Sequence, residues 1–338
     1  MNRSPLVSVV TPIHNDADVL EQCIDSVLAQ TFRDWDYTII DNASTDRTPE
    51  IAHRYVRADS RIHYLRYDEL VDVNANYNRA FDEIHPASTY CKVLAADDWL
   101  YPECLERMVE VAERSDAIGI VGAYRLAGEH VDLTGLPYSE SIFDGRSILR
   151  RSLLGGFGVI GGPSSMLLRS NLVRESAPFL DPRFVHADTE AAYRILNHHA
   201  FGYVHQVLTY ARRQPGRQLA SALKLNIRAA EKLRFLLTYG PTALSPQEYR
   251  RTLRRELWLY AKWHTAQVRH VSWLRNPEFF AAHRSGLNAM LEESGDRIEV
   301  RAVVMLVRLM LARGRWAGAD RGHPASEAKT VAAAVRRA

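Results

Sequence analysis

The chain has 338 residues, of which 46% are hydrophobic and 25% are charged, with a formal net charge of +3. These values are ordinary for a globular protein and exclude a chain that is disordered throughout. The length accommodates one large α/β domain and a smaller second unit. We expect no signal peptide, because the first predicted strand begins within six residues and no long apolar region precedes it. We expect no membrane-spanning helix, because no run reaches about 18 uninterrupted apolar residues.

The charge is distributed unevenly along the chain. Residues 1–211 hold 19 basic and 30 acidic side chains, whereas residues 212–338 hold 24 basic and 10 acidic ones. An acidic first part argues against nucleic acid as a partner, and a basic second part is compatible with an anionic membrane surface. Three cysteines without metal-ligand spacing predict no disulfide framework and a cytoplasmic location.

The first part of the chain alternates between predicted strands and helices. Five short runs predict strands, at 6–11, 36–41, 61–66, 91–96 and 117–124, and the first of them, "LVSVVT", is apolar and rich in β-branched residues. Amphipathic or capped segments between them predict helices. This alternation is typical of a mainly parallel sheet flanked by helices.

The second part of the chain changes character. A loop-rich stretch follows residue 125, then a basic helix "RSILRRSLL", a strand "SSMLLR", a helix "HADTEAAYRILNHH" and a strand "GYVHQVLTYARR". From Ala220 onward the pattern is helical only. We therefore predict an α/β domain at 1–218, an α-helical region at 219–318 and a flexible tail at 319–338.

Polar clusters follow three of the predicted strands. They are "TPIHN" after the first strand, "DNASTD" after the second and "ADD" after the fourth. Because ligands of open α/β sheets bind outside the carboxyl ends of the strands, we expect these clusters to form one site.

Asp97 and Asp98 end the fourth strand. At a separation of about 5 Å and an effective dielectric constant near 20, two such charges repel by roughly 3 kcal/mol. A solvated turn with an aspartate cap would offset that repulsion, and so would a bound cation. Carboxylate oxygens suit Mg²⁺ or Mn²⁺, which would also bridge substrate phosphates.

Four ordered segments of the chain resemble the family-2 glycosyltransferases, which have the GT-A fold. They are "VSVVTPIHN", "YTIIDNASTDRT", "NANYNRAF" and "YCKVLAADDWLYPECLERM", and the resemblance covers about residues 5–212. In that family the acidic strand end is the D-x-D motif, which binds a divalent ion and the diphosphate of a nucleotide sugar. Here Ala95 stands at the first aspartate position, Asp97 matches the metal ligand, and Asp98 lies beside it.

The resemblance also implies residues that contact the nucleotide. Asp41 would accept a hydrogen bond from the base, most simply from N3–H of uracil, and the neutral Asn42 replaces a second aspartate. The full set of nucleotide-binding candidates is Thr11, Pro12, Asn15, Asp41, Asn42 and Asn78. For Asp41, a cap of its own turn is the alternative role, and for Asn78 it is a polar position on a helix surface.

Asp188 matches the aspartate of the family's "ED" motif, the general base of inverting sugar transfer, and Ala187 replaces the preceding glutamate. The alternative is a helix-capping position with Glu190 in the first turn. Arg212 and Arg213 are candidates for contact with the diphosphate, and their alternative role is that of surface cations. His186 is a candidate for contact with the diphosphate or the acceptor, and its alternative role is structural. The segment "GFGVIG" matches G-x-G-x-x-G only formally, since a helix precedes it and a strand follows.

The resemblance implies an inverting, Mg²⁺- or Mn²⁺-dependent transfer of a sugar from a nucleotide-diphosphate donor to a glycan or lipid-linked acceptor. Two alternatives stay open. Ala95 and Ala187 would also suit a non-catalytic sugar-nucleotide-binding module. A sugar nucleotidyltransferase is less compatible, because "TPIHNDAD" lacks the glycine-rich, basic phosphate loop of such enzymes. The basic helix "RAVVMLVRLMLARGRW" would either pack internally or lie on the inner face of an anionic membrane.

Overall fold

A computed structural model describes residues 5–155, 158–212 and 227–268, with side chains up to residue 260. The chain divides into two compact units, residues 1–214 and 215–338. The predicted tail at 319–338 and the basic helix around residues 301–316 lie outside the described residues.

The first unit is built on a ten-stranded mixed sheet. Its strands in chain order are β1 (Val7–Ile13), β2 (Trp35–Asn42), β3 (Ile62–Tyr67), β4 (Tyr90–Val93), β5 (Trp99–Leu100), β6 (Ile118–Ala127), β7 (His130–Asp132), β8 (Ile142–Phe143), β9 (Met166–Arg169) and β10 (Ala200–Ala211). The five predicted strands are β1, β2, β3, β4 and β6, with ends displaced by one to three residues. The strand predicted from "SSMLLR" is β9, and "GYVHQVLTYARR" forms β10.

Seven helices of the described chain belong to this unit. They are α1 (Leu20–Leu28), α2 (Thr48–Ala58), α3 (Val73–Asp82), α4 (Cys104–Ala112), α5 (Gly145–Leu153), α6 (Ser170–Arg174) and α7 (Ala187–Leu196). Residues 163–165 form one turn of 3₁₀-helix before β9. Two of the helices begin at a side-chain cap: Asp72 accepts from the backbone N–H of Ala75, and Asp144 accepts from that of Ser147.

The sheet order is β3-β2-β1-β4-β9-β6-β10-β5, with β7 beside β6 and β8 beside β10. The pairs β2–β3, β1–β2, β1–β4 and β6–β10 are parallel. Strand β9 lies between β4 and β6 and is antiparallel to both. The carboxyl ends of β1, β2 and β4 therefore meet at one edge, and the three predicted polar clusters lie there.

The core of this unit lies along β1 and β2 and the helices packed on them. Val7, Val9, Ile24 and Ile39 are fully buried in it. All three cysteines are buried free thiols. Lys92 of β4 is also fully buried, and burial lowers its pKa.

The described part of the second unit consists of two helices, α8 (Ile227–Ala243) and α9 (Pro246–Val268). They pack against each other, and the Nζ of Lys232 in α8 lies 2.9 Å from Oε1 of Glu256 in α9. The helical character expected after Ala220 is thus present in both. Within the described residues, no helix is long and apolar enough to cross a bilayer.

Candidate active site

The polar clusters after β1 and β2 are joined by a hydrogen-bond network. The backbone N–H of Asn15 donates to Oγ of Ser44 at 2.9 Å, and Oδ1 of Asn15 accepts from the N–H of Thr45 at 2.7 Å. The N–H of Asp16 donates to Oγ1 of Thr48 at 2.9 Å. Asn15 has a positive φ of 57°, a conformation that asparagine adopts more readily than most residues. Asn15 therefore holds the two loops together.

Asp41 is fully buried at the end of β2. Its Oδ1 accepts the N–H of Ser44 at 2.9 Å, and its Oδ2 accepts the Tyr64 hydroxyl and an Arg66 N–H at 3.1 Å. Burial raises the pKa of Tyr64 to about 12, and the hydrogen bond to Asp41 is the second contribution to this rise. The phenol therefore stays protonated and acts as a donor. The bond from Ser44 is the turn-capping role expected as an alternative.

Other candidates for nucleotide contact are also occupied by protein groups. Thr11 is fully buried and its Oγ1 accepts the Tyr37 hydroxyl at 2.9 Å, while Pro12 is buried beside it. The Asn42 side chain exchanges two hydrogen bonds, each 2.9 Å long, with the backbone of Val71. These contacts fix the loop after β3 against the end of β2.

Asn78 of α3 exchanges hydrogen bonds with the backbone of Leu180, one of 2.9 Å and one of 2.8 Å. One turn earlier on the same helix, the Nδ2 of Asn74 donates to the carbonyl of Phe184 at 2.9 Å. Residues 180–184 lead directly into α7 and Asp188. Helix α3 therefore anchors the segment that carries the candidate base.

Asp97 and Asp98 lie in the acid loop, which we define as residues 94–98 between β4 and β5. Oδ1 of Asp98 accepts the backbone N–H of Arg212 at 3.2 Å. Burial raises the pKa of Asp98 to about 6, and the charge of Asp97 adds to the rise. A hydrogen bond from Ser164 and the charge of Arg125 act in the opposite direction.

Ser164 connects the acid loop to the glycine–serine turn, which we define as residues 161–165. Its Oγ accepts the backbone N–H of Ala95 at 3.0 Å, and its carbonyl accepts from Nζ of the buried Lys92 at 2.7 Å. Residue 95 is the position of the missing first aspartate. A serine from a distant segment therefore holds the strand end where the family pattern has a carboxylate.

The side chain of Tyr77 on α3 is influenced by the charges of four carboxylates. Its pKa is raised chiefly by burial and then by the charges of Asp98, Asp97, Asp188 and Asp16. Asp16 is itself largely buried, and burial raises its pKa to about 6. The charges of the candidate metal ligands and of the candidate base thus all act on one phenol of α3.

Asp188 lies in the first turn of α7, and its Oδ1 accepts the N–H of Thr189 at 2.8 Å. A Cβ atom placed on Gly162 would lie 3.9 Å from Oδ2 of Asp188 and 3.9 Å from a terminal nitrogen of Arg125. His186 precedes the helix as its N-cap residue. Asp188 therefore faces the glycine–serine turn across a space that a side chain at 162 would enter.

Arg212 joins the acid loop from the end of β10. Besides its backbone bond to Asp98, a terminal nitrogen donates to Oε1 of Gln22 at 3.2 Å. Its Nε is buried without a hydrogen-bond partner in the described chain. Arg213 lies outside the described residues.

Sequence reasoning did not single out Tyr77, Asp16, Ser164 or Arg125. The helical spacing of Asn74, Tyr77 and Asn78 places all three on one side of α3, a signal that was available. Ser164 and Arg125 carry no such signal, because their partners are far away in the chain.

The protein-family description "Glycosyl transferase family 2" matches residues 8–174. TuaG of Bacillus subtilis, named for teichuronic acid biosynthesis, is 30% identical over 155 residues, which are 46% of this chain and 61% of TuaG. The chain thus covers less than two thirds of that relative.

Two solved structures share the fold. TarS 1-349 of S. aureus in complex with UDP-GlcNAc aligns with a TM-score of 0.60 at 14% identity, over 91% of this chain and 88% of the TarS 1-349 chain. The mannosyltransferase PcManGT of Pyrobaculum calidifontis, in complex with GDP-Man and Mn²⁺, aligns with a TM-score of 0.50 at 15% identity, over 100% of this chain and 82% of PcManGT. These likenesses confirm the predicted GT-A fold. Through residues 8–174, the chain belongs to glycosyl transferase family 2.

Proposed function

We propose that this protein transfers a sugar from a UDP-sugar to a hydroxyl group of a cell-surface glycan or lipid-linked acceptor, with inversion at the anomeric carbon. The observation that carries the proposal is the glycine–serine turn, which faces Asp188 at Gly162 and bonds through Ser164 to the acid loop that holds Asp97 and Asp98. A transferase of this kind needs an acidic diphosphate site and a base within one sugar's length of each other.

Asp97 and Asp98 would hold Mg²⁺ or Mn²⁺. Such ions are bound by one or two carboxylates, with phosphate oxygens and water as the other ligands, so two aspartates suffice. The Asp97 carboxylate has no hydrogen-bond partner in the described residues, which leaves its oxygens available. A bound ion would neutralise the charge that develops on the departing diphosphate. That PcManGT was solved with GDP-Man and Mn²⁺ supports the choice of metal.

The nucleotide would lie along the carboxyl ends of β1 and β2. Asp41 would accept N3–H of uracil, with Tyr64 and Arg66 fixing the orientation of its carboxylate. Thr11, Pro12, Asn15, Asn42 and Asn78 would border this region. Since the side chains of Asn42 and Asn78 bond to loop backbone, their contribution would be to shape the pocket. The TarS complexes with UDP and UDP-GlcNAc favour uracil as the base.

Asp188 would take the proton of the acceptor hydroxyl as that oxygen attacks the anomeric carbon. The new C–O bond forms while the bond to the diphosphate breaks, and UDP leaves with the bonding electron pair. A single displacement needs no covalent sugar–enzyme intermediate. Arg212 would contact the diphosphate through its partly buried guanidinium, Arg213 would assist it, and His186 would border the acceptor.

The acceptor is proposed to be a cell-envelope glycan, because TuaG is named for teichuronic acid biosynthesis. Such acceptors lie at membranes. We propose that the protein is cytoplasmic and contacts the inner face of the membrane through its basic carboxyl-terminal part. After residue 211 the chain has 24 Lys or Arg residues and 10 Asp or Glu residues.

A thermal-shift panel tests the proposal. UDP, UDP-glucose, UDP-GlcNAc and GDP-mannose are added with Mn²⁺ or with EDTA, and the proposal expects stabilisation by a UDP compound that depends on Mn²⁺. Slow release of UDP from the bound sugar nucleotide in the absence of acceptor would support a transferase. Binding without any release would support the non-catalytic module instead.

A further inference from the structure

Arg125 and Asp132 are direct partners across the hairpin formed by β6 and β7. The Nε of Arg125 donates to Oδ1 of Asp132 at 3.0 Å, and one terminal nitrogen donates to Oδ2 at 2.8 Å. A fork of this kind fixes the plane of the guanidinium, so the remaining terminal nitrogen, NH1, has a set direction. In the described residues, NH1 has no hydrogen-bond partner.

NH1 points to the space beside Gly162. A Cβ atom at that glycine would lie 3.9 Å from NH1 and 3.9 Å from Oδ2 of Asp188. The same turn contacts the acid loop, because Oγ of Ser164 accepts the backbone N–H of Ala95 at 3.0 Å. Arg125 therefore faces the space between the candidate base and the candidate metal ligands.

The geometry of the proposed reaction determines what fills that space. The anomeric carbon must lie between a diphosphate held at the acid loop and an acceptor oxygen beside Asp188. The transferred sugar then lies next to Gly162, where the absence of a side chain leaves room for it. We propose that NH1 of Arg125 donates a hydrogen bond to an oxygen of the transferred sugar.

This inference rests on the proposed function and identifies a residue that selects the donor sugar. Asp132 already balances the charge of Arg125, so the site suits a neutral sugar oxygen, a hydroxyl or an acetamido carbonyl. A partly buried donor aimed at such an oxygen discriminates against sugars that place no acceptor there. Asp132 is a positioning residue, because it acts through the orientation of Arg125.

Two variants separate contact with the sugar from contact with the nucleotide. Arg125→Met removes the donor. Gly162→Ala places a methyl group in the space; with φ of −87° and ψ of 179° the backbone accepts alanine, and both neighbours would be at ordinary contact distance. Arg61→Met is the matched control, since Arg61 makes a similar fork with Asp59 at the opposite end of β3.

The measurement is calorimetric titration of each protein with UDP, UDP-glucose and UDP-GlcNAc in Mn²⁺, with melting curves to verify folding. For the UDP-sugar that wild type binds, Arg125→Met should raise Kd about tenfold or more, the effect of one lost hydrogen bond to a charged donor. Gly162→Ala should also raise this Kd, because its methyl group occupies space that the sugar needs. Kd for UDP should stay within about twofold for both variants. The control should match wild type for all ligands.

Wild-type affinity of folded Arg125→Met and Gly162→Ala for that UDP-sugar would overturn the inference. An equal loss of affinity for UDP and the UDP-sugar would also overturn it, because Arg125 would then act on the nucleotide. A wild-type protein that binds none of the three ligands would instead refute the proposed function, and this inference with it.

Discussion

Asn78 and Leu180 are 102 positions apart in the chain, yet the Asn78 side chain both donates to and accepts from the Leu180 backbone, at 2.9 Å and 2.8 Å. An amide side chain that exchanges two hydrogen bonds with a peptide group takes the place of the backbone partner that a neighbouring strand would provide. Because Leu180 is buried, both of its backbone groups need partners. Asn78 supplies them and thereby fixes the approach to α7.

The first prediction concerns this pairing. Asn78→Ala should lower the free energy of unfolding by about 2 kcal/mol, because two buried backbone groups lose their partners. The affinity for UDP should change little, since the side chain is already occupied. Chemical denaturation and UDP titration measure the two effects. Asn171→Ala, which removes one long bond of 3.4 Å on an exposed helix, is the control. A large loss of UDP affinity with unchanged stability would instead place Asn78 at the nucleotide.

The second prediction concerns the base. Asp188→Asn keeps the size of the side chain and removes its capacity to take a proton, so transfer should fall by about 10² to 10⁴-fold. Binding of the UDP-sugar should be retained. The measurements are product formation and donor titration, with the exposed Asp68→Asn as the control. Near-wild-type turnover of Asp188→Asn would show that another group removes the proton.

The third prediction concerns the metal ligands. Asp97→Ala should weaken Mn²⁺ binding, because it removes the carboxylate with the most available oxygens. The electron paramagnetic resonance signal of free Mn²⁺ measures this binding. Donor affinity in Mn²⁺ should fall with it, and donor affinity in EDTA should not. Asp116→Asn, on a fully exposed aspartate, is the control. If the Mn²⁺ titration of Asp97→Ala overlays that of wild type, Asp97 is not a ligand.

The fourth prediction concerns pH. Burial raises the pKa of Asp98 to about 6, whereas an unfolded aspartate titrates near about 3.9. Between these values the folded state binds more protons, so the contribution of Asp98 to stability is present below about pH 4 and is lost as the pH rises through about 6. Asp98→Asn removes this titration. In EDTA, the free energy of unfolding of Asp98→Asn minus that of wild type should therefore increase from pH 4.5 to pH 7.

Denaturant unfolding of wild type and Asp98→Asn at several pH values tests that change. The comparison must be a difference, because Asp16 has a similarly raised pKa and remains in both proteins. A difference that is constant with pH would mean that Asp98 titrates alike in the folded and unfolded chains.

The parts of the fold that could be predicted are those with a local signal. Strands β1 and β2 are rich in β-branched residues, and the polar residues that follow β1, β2 and β4 lie at one edge because parallel neighbours end together. The acid loop is predictable for the same reason.

Other features depend on long-range pairing and could not be predicted. Strand β9 has only four residues, and nothing in "MLLR" indicates that it lies antiparallel between β4 and β6. The orientations of Asn42 and Asn78 depend on loop backbone that passes them in the folded chain. The position of Tyr77 among four carboxylates depends on three separate segments meeting at α3.

The last prediction concerns the contact between α5 and the end of α7. A Cβ atom on Gly145 would lie 1.9 Å from the carbonyl oxygen of His199 and 2.3 Å from that of Leu196, both backbone atoms that cannot rotate away. Gly145→Ala should therefore separate the two helices and lower the free energy of unfolding by about 3 kcal/mol. Gly158→Ala is the matched control, because its Cβ would meet no atom of the described residues within 4 Å. Its stability should stay within about 0.5 kcal/mol of wild type. Equal melting temperatures for the two variants would contradict the close approach of α5 to α7, the helix that carries Asp188.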